Sequence, residues 1–420
     1  MKKLTIAASF ALAFGASVIA AETPDYRESM TRAAAAFEAE EWPALNEALD
    51  AAQSTRPWSL YVYRNRILAR LLADRQDEAL ALAAKAADRG LSFNLTGHPA
   101  FDAFKALPAY APIAERMEAN MAAIGDADSV REFSANEHLP EAIAYDRKNN
   151  LYIGSVRNGS IFKAKKNAQE LTRVATARGG VFDLEIRGDT IWAAVNNQLA
   201  YEDANPENKF ASVMAFNAKT GAPFREIRVS DSEAIIGDIE VAKDGTVYAS
   251  DSVTPRILKM EPGGQTLDVF ADDPRFVNLQ GIALDEKNHR MFVADYLGGL
   301  FVINTQSGAV TALENTADAH LGGIDGLYYY KGGLIGIQNG TTPIRIVYIG
   351  LNDDATAVST FIAMQQNLDE WNEPTHGAVL GKKFHYIATS NWPSYDGEWK
   401  VREGAELKPL KIMTLPLQAN

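Results

Sequence analysis

The stretch DIEVAKDGTVYASD, Asp238 to Asp251, decides the fold. An acid leads a short apolar strand, Asp-Gly makes a tight turn, a second apolar strand follows, and a polar residue closes it. The same unit recurs on both sides: EAIAYDRKNNLYIGS from Glu141, DLEIRGDTIWAAVN from Asp183, QGIALDEKNHRMFVAD from Gln280, DGLYYYKGGLIGIQN from Asp325 and HGAVLGKKFHYIATSN from His376. Intervals between lead residues are 42, 55, 42, 45 and 51. Six copies at such spacing predict a mainly β fold, a six-bladed β-propeller over residues 130–420. The segment Arg131 to Ser134 is expected to pair with the last blade, closing the ring and removing its exposed edges. The long second interval predicts an insertion near Gln198 to Phe210, looping over one face.

The preceding chain has another texture. From Tyr26 to about Gly125, alanine and leucine recur at three- and four-residue spacing, as in Ala44, Leu45, Ala48, Leu49 and Ala52. Trp42 to Ala52 resembles Gln76 to Ala86, 34 positions on. That period is tetratricopeptide-like and predicts a small helical domain over 24–125. Its small residues are expected to let paired helices approach closely. A protein partner on this arm is the further expectation.

Lys2 and Lys3 precede an uncharged stretch from Leu4 to Ala21, with Val18 and Ala20 as the small residues a signal peptidase needs. Residues 1–20 are expected to be a cleaved signal peptide, and the mature chain to be periplasmic, or secreted, without a membrane span. The chain has no cysteine, which excludes disulfides and thiolate metal sites. Its net charge is −13, and −15 once Lys2 and Lys3 are gone, so nucleic acid is an unfavourable partner. No phosphate-binding glycine loop, His-Glu-x-x-His run or serine nucleophile elbow occurs.

In a propeller the first strand of each blade lines the channel, so the lead residues converge: Glu141, Asp183, Asp238, Gln280, Asp325 and His376. Four carboxylates brought together repel and raise one another's pKa, and a hard divalent cation, calcium above all, would relieve that. The second strands end in Asn196, Asp251, Asp295, Asn339 and Asn391. These are candidates to hold the first ring in place, although Asp251 and Asp295 are expected to accept loop backbone N–H groups instead. Phe361 to Pro374 and the aromatic group Trp392, Tyr395 and Trp399 are expected to pack the last blade, with a pocket lining as the alternative.

The phrases LPEAIAYD, IGDIEVAKDGTVYASDS, LQGIALDEKNHRMFVADY and GIDGLYYYKGG resemble the SMP-30/gluconolactonase/LRE-like propellers over about residues 135–420. That resemblance implies one divalent metal at the channel mouth and the opening of sugar lactones. Glu141 matches the family's leading Glu and Asp325, before Gly326, its Asp-Gly acid. Gln280 stands where the family has Asn, and Gly237 replaces the Asn of its Asn-Asp pair. The resemblance thus implies a metal on Glu141, Gln280 and Asp325, and from the converging ring Asp325 or Asp238 is expected to activate water or pass a proton, with His376 as a second acid/base. Asp183 and Asn339 are candidate contacts for a small molecule at the mouth. A non-catalytic binding or assembly protein, using the helical arm, is the alternative expectation.

Overall fold

A computed structural model describes residues 24–126, 128–135, 139–198 and 200–417. The expected signal peptide lies outside the described residues. Among them, no helix is long and apolar enough to cross a membrane. The chain divides into two compact units, residues 24–122 with Gly340–Pro343, and the remainder.

The helical unit runs Pro24–Glu38, Trp42–Thr55, Leu60–Leu72, Gln76–Asp88, Pro99–Lys105 and Ala111–Ala119. The two similar segments are its second and fourth helices, so the 34-residue offset joins equivalent positions. Ala48, Ala52 and Ala69 pack with Leu49 and Val62, and Ala79 and Ala83 pack with Ile67 and Phe101. Small side chains at these positions let the helices close together, as their spacing predicts. Asn46 ties two helices by donating to the Ala69 carbonyl at 2.9 Å.

The second unit is the six-bladed propeller. Blades one to four are four-stranded antiparallel sheets, and their first strands are Pro140–Tyr145, Gly180–Arg187, Ile236–Val241 and Leu279–Asp285. Blade five begins at Leu327–Tyr330 and carries an extra strand, Glu314–Asn315, parallel to its outer strand Ala357–Gln366. Blade six begins at Gly377–Leu380. Its outer strand is Ser129–Ala135, which runs antiparallel to Pro409–Pro416 with Val130 opposite Met413 and Glu132 opposite Lys411. The ring therefore closes as the sequence predicts. First strands of successive blades neighbour one another around the full circle.

Each inner hairpin turns through a left-handed residue, and that of blade five through two, Lys331 and Gly332. Gly245 takes φ +95° in blade three, and in blade four His289 does the same at +53°. Glycine adopts this region without a Cβ penalty, which is why Asp-Gly signals mark the repeat. Between blades the apolar side chains interlock. Tyr152 and Ile161 of blade one pack with Val181, Leu184 and Phe216 of blade two, and Tyr330 and Ile337 of blade five with Phe384, Tyr386 and Met413 of blade six. The 198–210 insertion connects the second and third strands of blade two, as expected, and contains a short helical turn at Pro206–Asn208.

Candidate metal and acid-base site

The lead residues owe their placement to irregularities in the inner strands. Register shifts fall between Pro140 and Ala142, Val181 and Asp183, Ile236 and Ile239, and Leu279 and Ile282. A bulge re-aims a side chain and ends regular pairing, so each shift sets a polar residue at the strand's mouth end. In blades five and six Asp325 and His376 simply precede the strands that begin at Leu327 and Gly377.

Three of the six come together as a cluster. Glu141, Asp325 and His376 each offer one donor atom, and these atoms lie within 4.8 Å of one another. Glu141 Oε2 accepts the Trp392 indole N–H at 2.6 Å. Asp325 Oδ2 accepts the Asn339 amide at 2.7 Å, and Asn339 Oδ1 in turn accepts the Tyr296 hydroxyl at 3.0 Å. His376 Nδ1 faces Asp183 Oδ1 at 3.3 Å.

The other lead residues act between blades. Asp183 Oδ2 accepts the Ile239 N–H at 3.0 Å, and Asp238 Oδ2 accepts the Ile282 N–H at 2.7 Å. Each carboxylate therefore anchors the next blade's first strand. Asp238 Oδ1 accepts the Ile239 N–H at 2.8 Å, so both its oxygens carry backbone bonds. Gln280 turns aside: its Nε2 donates to Asn278 Oδ1 at 2.8 Å, and its Oε1 faces Gly237.

Burial and crowding set the charges. Burial and the nearby Asp325 push Glu141 up to about 8, against the opposing pull of His376 and the Trp392 hydrogen bond. Burial also raises Asp325, opposed by His376 and the Asn339 hydrogen bond. Burial alone would lower His376, but the Asp183 hydrogen bond and charge, aided by Asp325 and Glu141, push it up to about 9. Asp183 and Asp238 share a hydrogen bond, and their values separate. Burial and Asp183 drive Asp238 well up, whereas for Asp183 the burial penalty is outweighed by its bonds to His376 and Asp238, which hold it down. One proton shared by two close carboxyls is the physical reason. These shifts favour a charged His376 beside an ionised Asp183, put the proton of the Asp183–Asp238 pair on Asp238, and draw Glu141 toward its neutral form.

The residues closing the second strands divide by task. Asp251 Oδ1 accepts from Ile235, Val253 and Thr254, and Asp295 accepts from Val277, Asn278, Leu297 and Gly298, the backbone role expected for both. Asn196 brackets both backbone groups of Ile236, and Asn391 both of Lys408. Asn339 is the member of this set that holds a cluster carboxylate. Phe361–Gln366 lies in the outer strand of blade five, with Ile362 49 % exposed. Met364, Leu368 and Trp371 of the same stretch pack against Phe384, Tyr386 and Met413 of blade six, and the Trp371 indole N–H donates to the Tyr386 hydroxyl at 3.1 Å, the packing of the last blade that was expected.

Three contributors escape the sequence reading. Glu373, buried three residues before His376, is raised to about 8 by burial, Glu141 and Asp325. Tyr328 accepts the Gly377 N–H at 2.6 Å, and burial with Asp238, Asp183 and Asp325 nearby drives its hydroxyl well up. Tyr296 reaches the cluster through Asn339. Glu373 occupies a left-handed position, φ +56°, in a stretch without repeat pattern. Tyr328 follows Asp325 by three residues inside an apparent strand motif, where a tyrosine reads as packing.

No family model matches the chain, and no curated protein matches it by sequence. Solved structures do. The PQQ-bound form of an aldose sugar dehydrogenase from Streptomyces coelicolor is similar at 15 % identity and TM-score 0.46, over 70 % of this chain and 100 % of that one. An oxidoreductase (glucose dehydrogenase) from Thermus thermophilus is similar at 16 % and 0.48, over 68 % and 99 %. Virginiamycin B lyase from Staphylococcus aureus follows at 14 % and 0.44, over 68 % and 99 %. The likeness is one of propeller fold.

Proposed function

We propose that this protein is an exported, divalent-metal-dependent hydrolase of lactones or related esters. The observation that carries the reading is the convergence of Glu141, Asp325 and His376 within 4.8 Å in the mouth of a propeller. Burial and the nearby Asp325 raise Glu141, burial raises Asp325, and a dication between the two carboxyls would relieve that crowding. Glu141 and Asp325 would hold the ion with His376 as the third donor. An imidazole in the set suits zinc or manganese; calcium takes oxygen donors and would need Gln280 to turn inward. Such an ion, when bound, polarises a carbonyl and steadies the oxyanion that develops on it.

The chain's own groups supply the rest. Asn339 fixes the Asp325 carboxylate, whose free oxygen is placed to take a proton from water. Asp183 would orient the His376 ring as a donor to the ion, and the proton taken up by Asp325 would pass to the leaving alkoxide. Asp238, with both oxygens on backbone N–H groups, serves as an anchor and a proton partner of Asp183 rather than as the base. Trp392 covers Glu141 and limits water there. The helical unit is proposed as a separate partner-binding arm.

The test is hydrolysis of a panel of five- and six-membered lactones and aryl esters, followed by acid release in a pH-stat. Asp325→Ala should lose about a hundredfold or more in rate while keeping its circular dichroism spectrum. Undiminished turnover in that variant contradicts the reading.

A further inference from the structure

Four of the buried carboxyls at the mouth have hydrogen-bond partners. Glu141 accepts the Trp392 indole N–H, Asp325 the Asn339 amide, Asp183 the Ile239 N–H, and Asp238 the Ile239 and Ile282 N–H groups. Glu373 has none. It is 9 % exposed, and among the described residues it makes neither a hydrogen bond nor an ion pair. Its oxygens keep accessible surface, unlike the adjacent Asn372 amide oxygen, which is enclosed without a partner. The charges that act on Glu373 are those of Glu141 and Asp325, and its own acts on Tyr296, so the free carboxyl stands at the cluster.

The chain pins Glu373 from both sides. Asn372 N–H donates to the Ala388 carbonyl at 2.9 Å, and the Asn372 carbonyl accepts the Ser390 N–H at 3.0 Å. On the other side the Pro374 carbonyl accepts Asn339 Nδ2 at 3.1 Å, the same nitrogen that holds Asp325. Between these anchors Glu373 takes φ +56°, a left-handed backbone that residues with side chains seldom adopt.

We propose that Glu373 is a fourth protein donor to the divalent cation of the mouth, beside Glu141, Asp325 and His376. This inference rests on the metal reading of that cluster. A dication takes about four to six donors or more, and three converge within 4.8 Å. The other mouth groups are engaged: Gln280 donates to Asn278, and both Asp238 oxygens carry backbone bonds. Glu373 can turn to an ion without breaking any bond. It stands outside the 4.8 Å group, as like charges do, and a dication reverses that repulsion. A buried carboxylate left unpaired is costly, and the ion offsets that cost. Three carboxylates to one imidazole also shift the set toward hard cations, manganese and calcium, relative to zinc.

Calorimetric titration of the chelator-treated full chain with manganese, calcium and zinc chlorides tests the proposal, in wild type, Glu373→Gln and Glu373→Asp. Glu373→Gln should weaken manganese and calcium about tenfold or more, and zinc less. Glu373→Asp keeps the charge on a shorter arm and should stay weakened; full recovery would make Glu373 a distant charge and overturn its role as a donor. Thermal unfolding in chelator is the control. Removing an unpaired buried carboxyl should leave Glu373→Gln at least as stable as wild type, whereas a lower midpoint would make the binding loss structural and overturn the proposal. Glu373→Gln that binds manganese as tightly as wild type overturns this inference alone. Wild type that binds none of the three ions overturns the metal reading and this inference with it.

Discussion

Replacing Asp183 with Asn should bring the His376 ring back to neutral within the physiological range. Burial acts to lower His376, and the Asp183 hydrogen bond and charge head the contributions that raise it to about 9 from 6.5. Without them, burial faces only the weaker pull of Asp325 and Glu141. The rise spans about 2.5 pH units, or about 3 kcal/mol at 1.36 kcal/mol per unit. A histidine held protonated by a native partner contributes that stability in full below pH 6.5 and loses it as pH rises through about 9. The assay is a pH titration of the ring carbons in chelator-treated, histidine-labelled protein, with the resonance assigned by His376→Gln. The Asp183→Asn midpoint should fall by about two pH units or more, to near or below 6.5. A midpoint still near 9 refutes the assignment of Asp183 as the residue that holds the proton on His376.

Other perturbations reach neighbouring parts of the account. Metal uptake should release protons, because Glu141 titrates near 8 and His376 near 9 in the free site. Apparent affinity should therefore climb about tenfold per pH unit for each proton displaced between about pH 6 and 8, and a flat calorimetric affinity across that range contradicts it. Trp392→Phe removes the indole donor from Glu141, which should cost about 1–3 kcal/mol in urea unfolding and move the Glu141 titration further up. Gly154→Ala should destabilise the ring by about 1–3 kcal/mol, since the added Cβ would lie 2.5 Å from Val181 Cγ1 on the next blade; wild-type stability would mean the blades repack freely. Phe384→Ala, in the core shared by blades five and six, should cost about 3–5 kcal/mol by the same measurement.

The fold is legible because each blade repeats its instructions. A turn residue, an apolar pair of strands and a polar lead recur six times, and closure by residues 129–135 follows from the need to cover an edge. What the lead residues do is less legible, because the same letter serves different ends. Asp238 and Asp325 occupy equivalent places in the repeat, yet Asp238 is tied to backbone N–H groups while Asp325 faces Glu141 and His376. The difference arises from bulge geometry, which the one-residue pattern of a strand does not encode. Asn196 and Asn339 part in the same way, one bracketing Ile236 and the other holding a carboxylate. Glu373 and Trp392 sit in long segments between repeat units, where periodicity offers no guide, and tertiary approach alone carries them to Glu141.

The central claim is that the mouth cluster holds a divalent cation. Elemental analysis of protein purified without chelator, beside an Asp325→Ala control of equal fold content, tests it most directly. The account predicts about one equivalent of a divalent metal per chain, lost in the control. Wild-type protein that stays metal-free after soaking in calcium, zinc and manganese, or a control that keeps its metal, would contradict it.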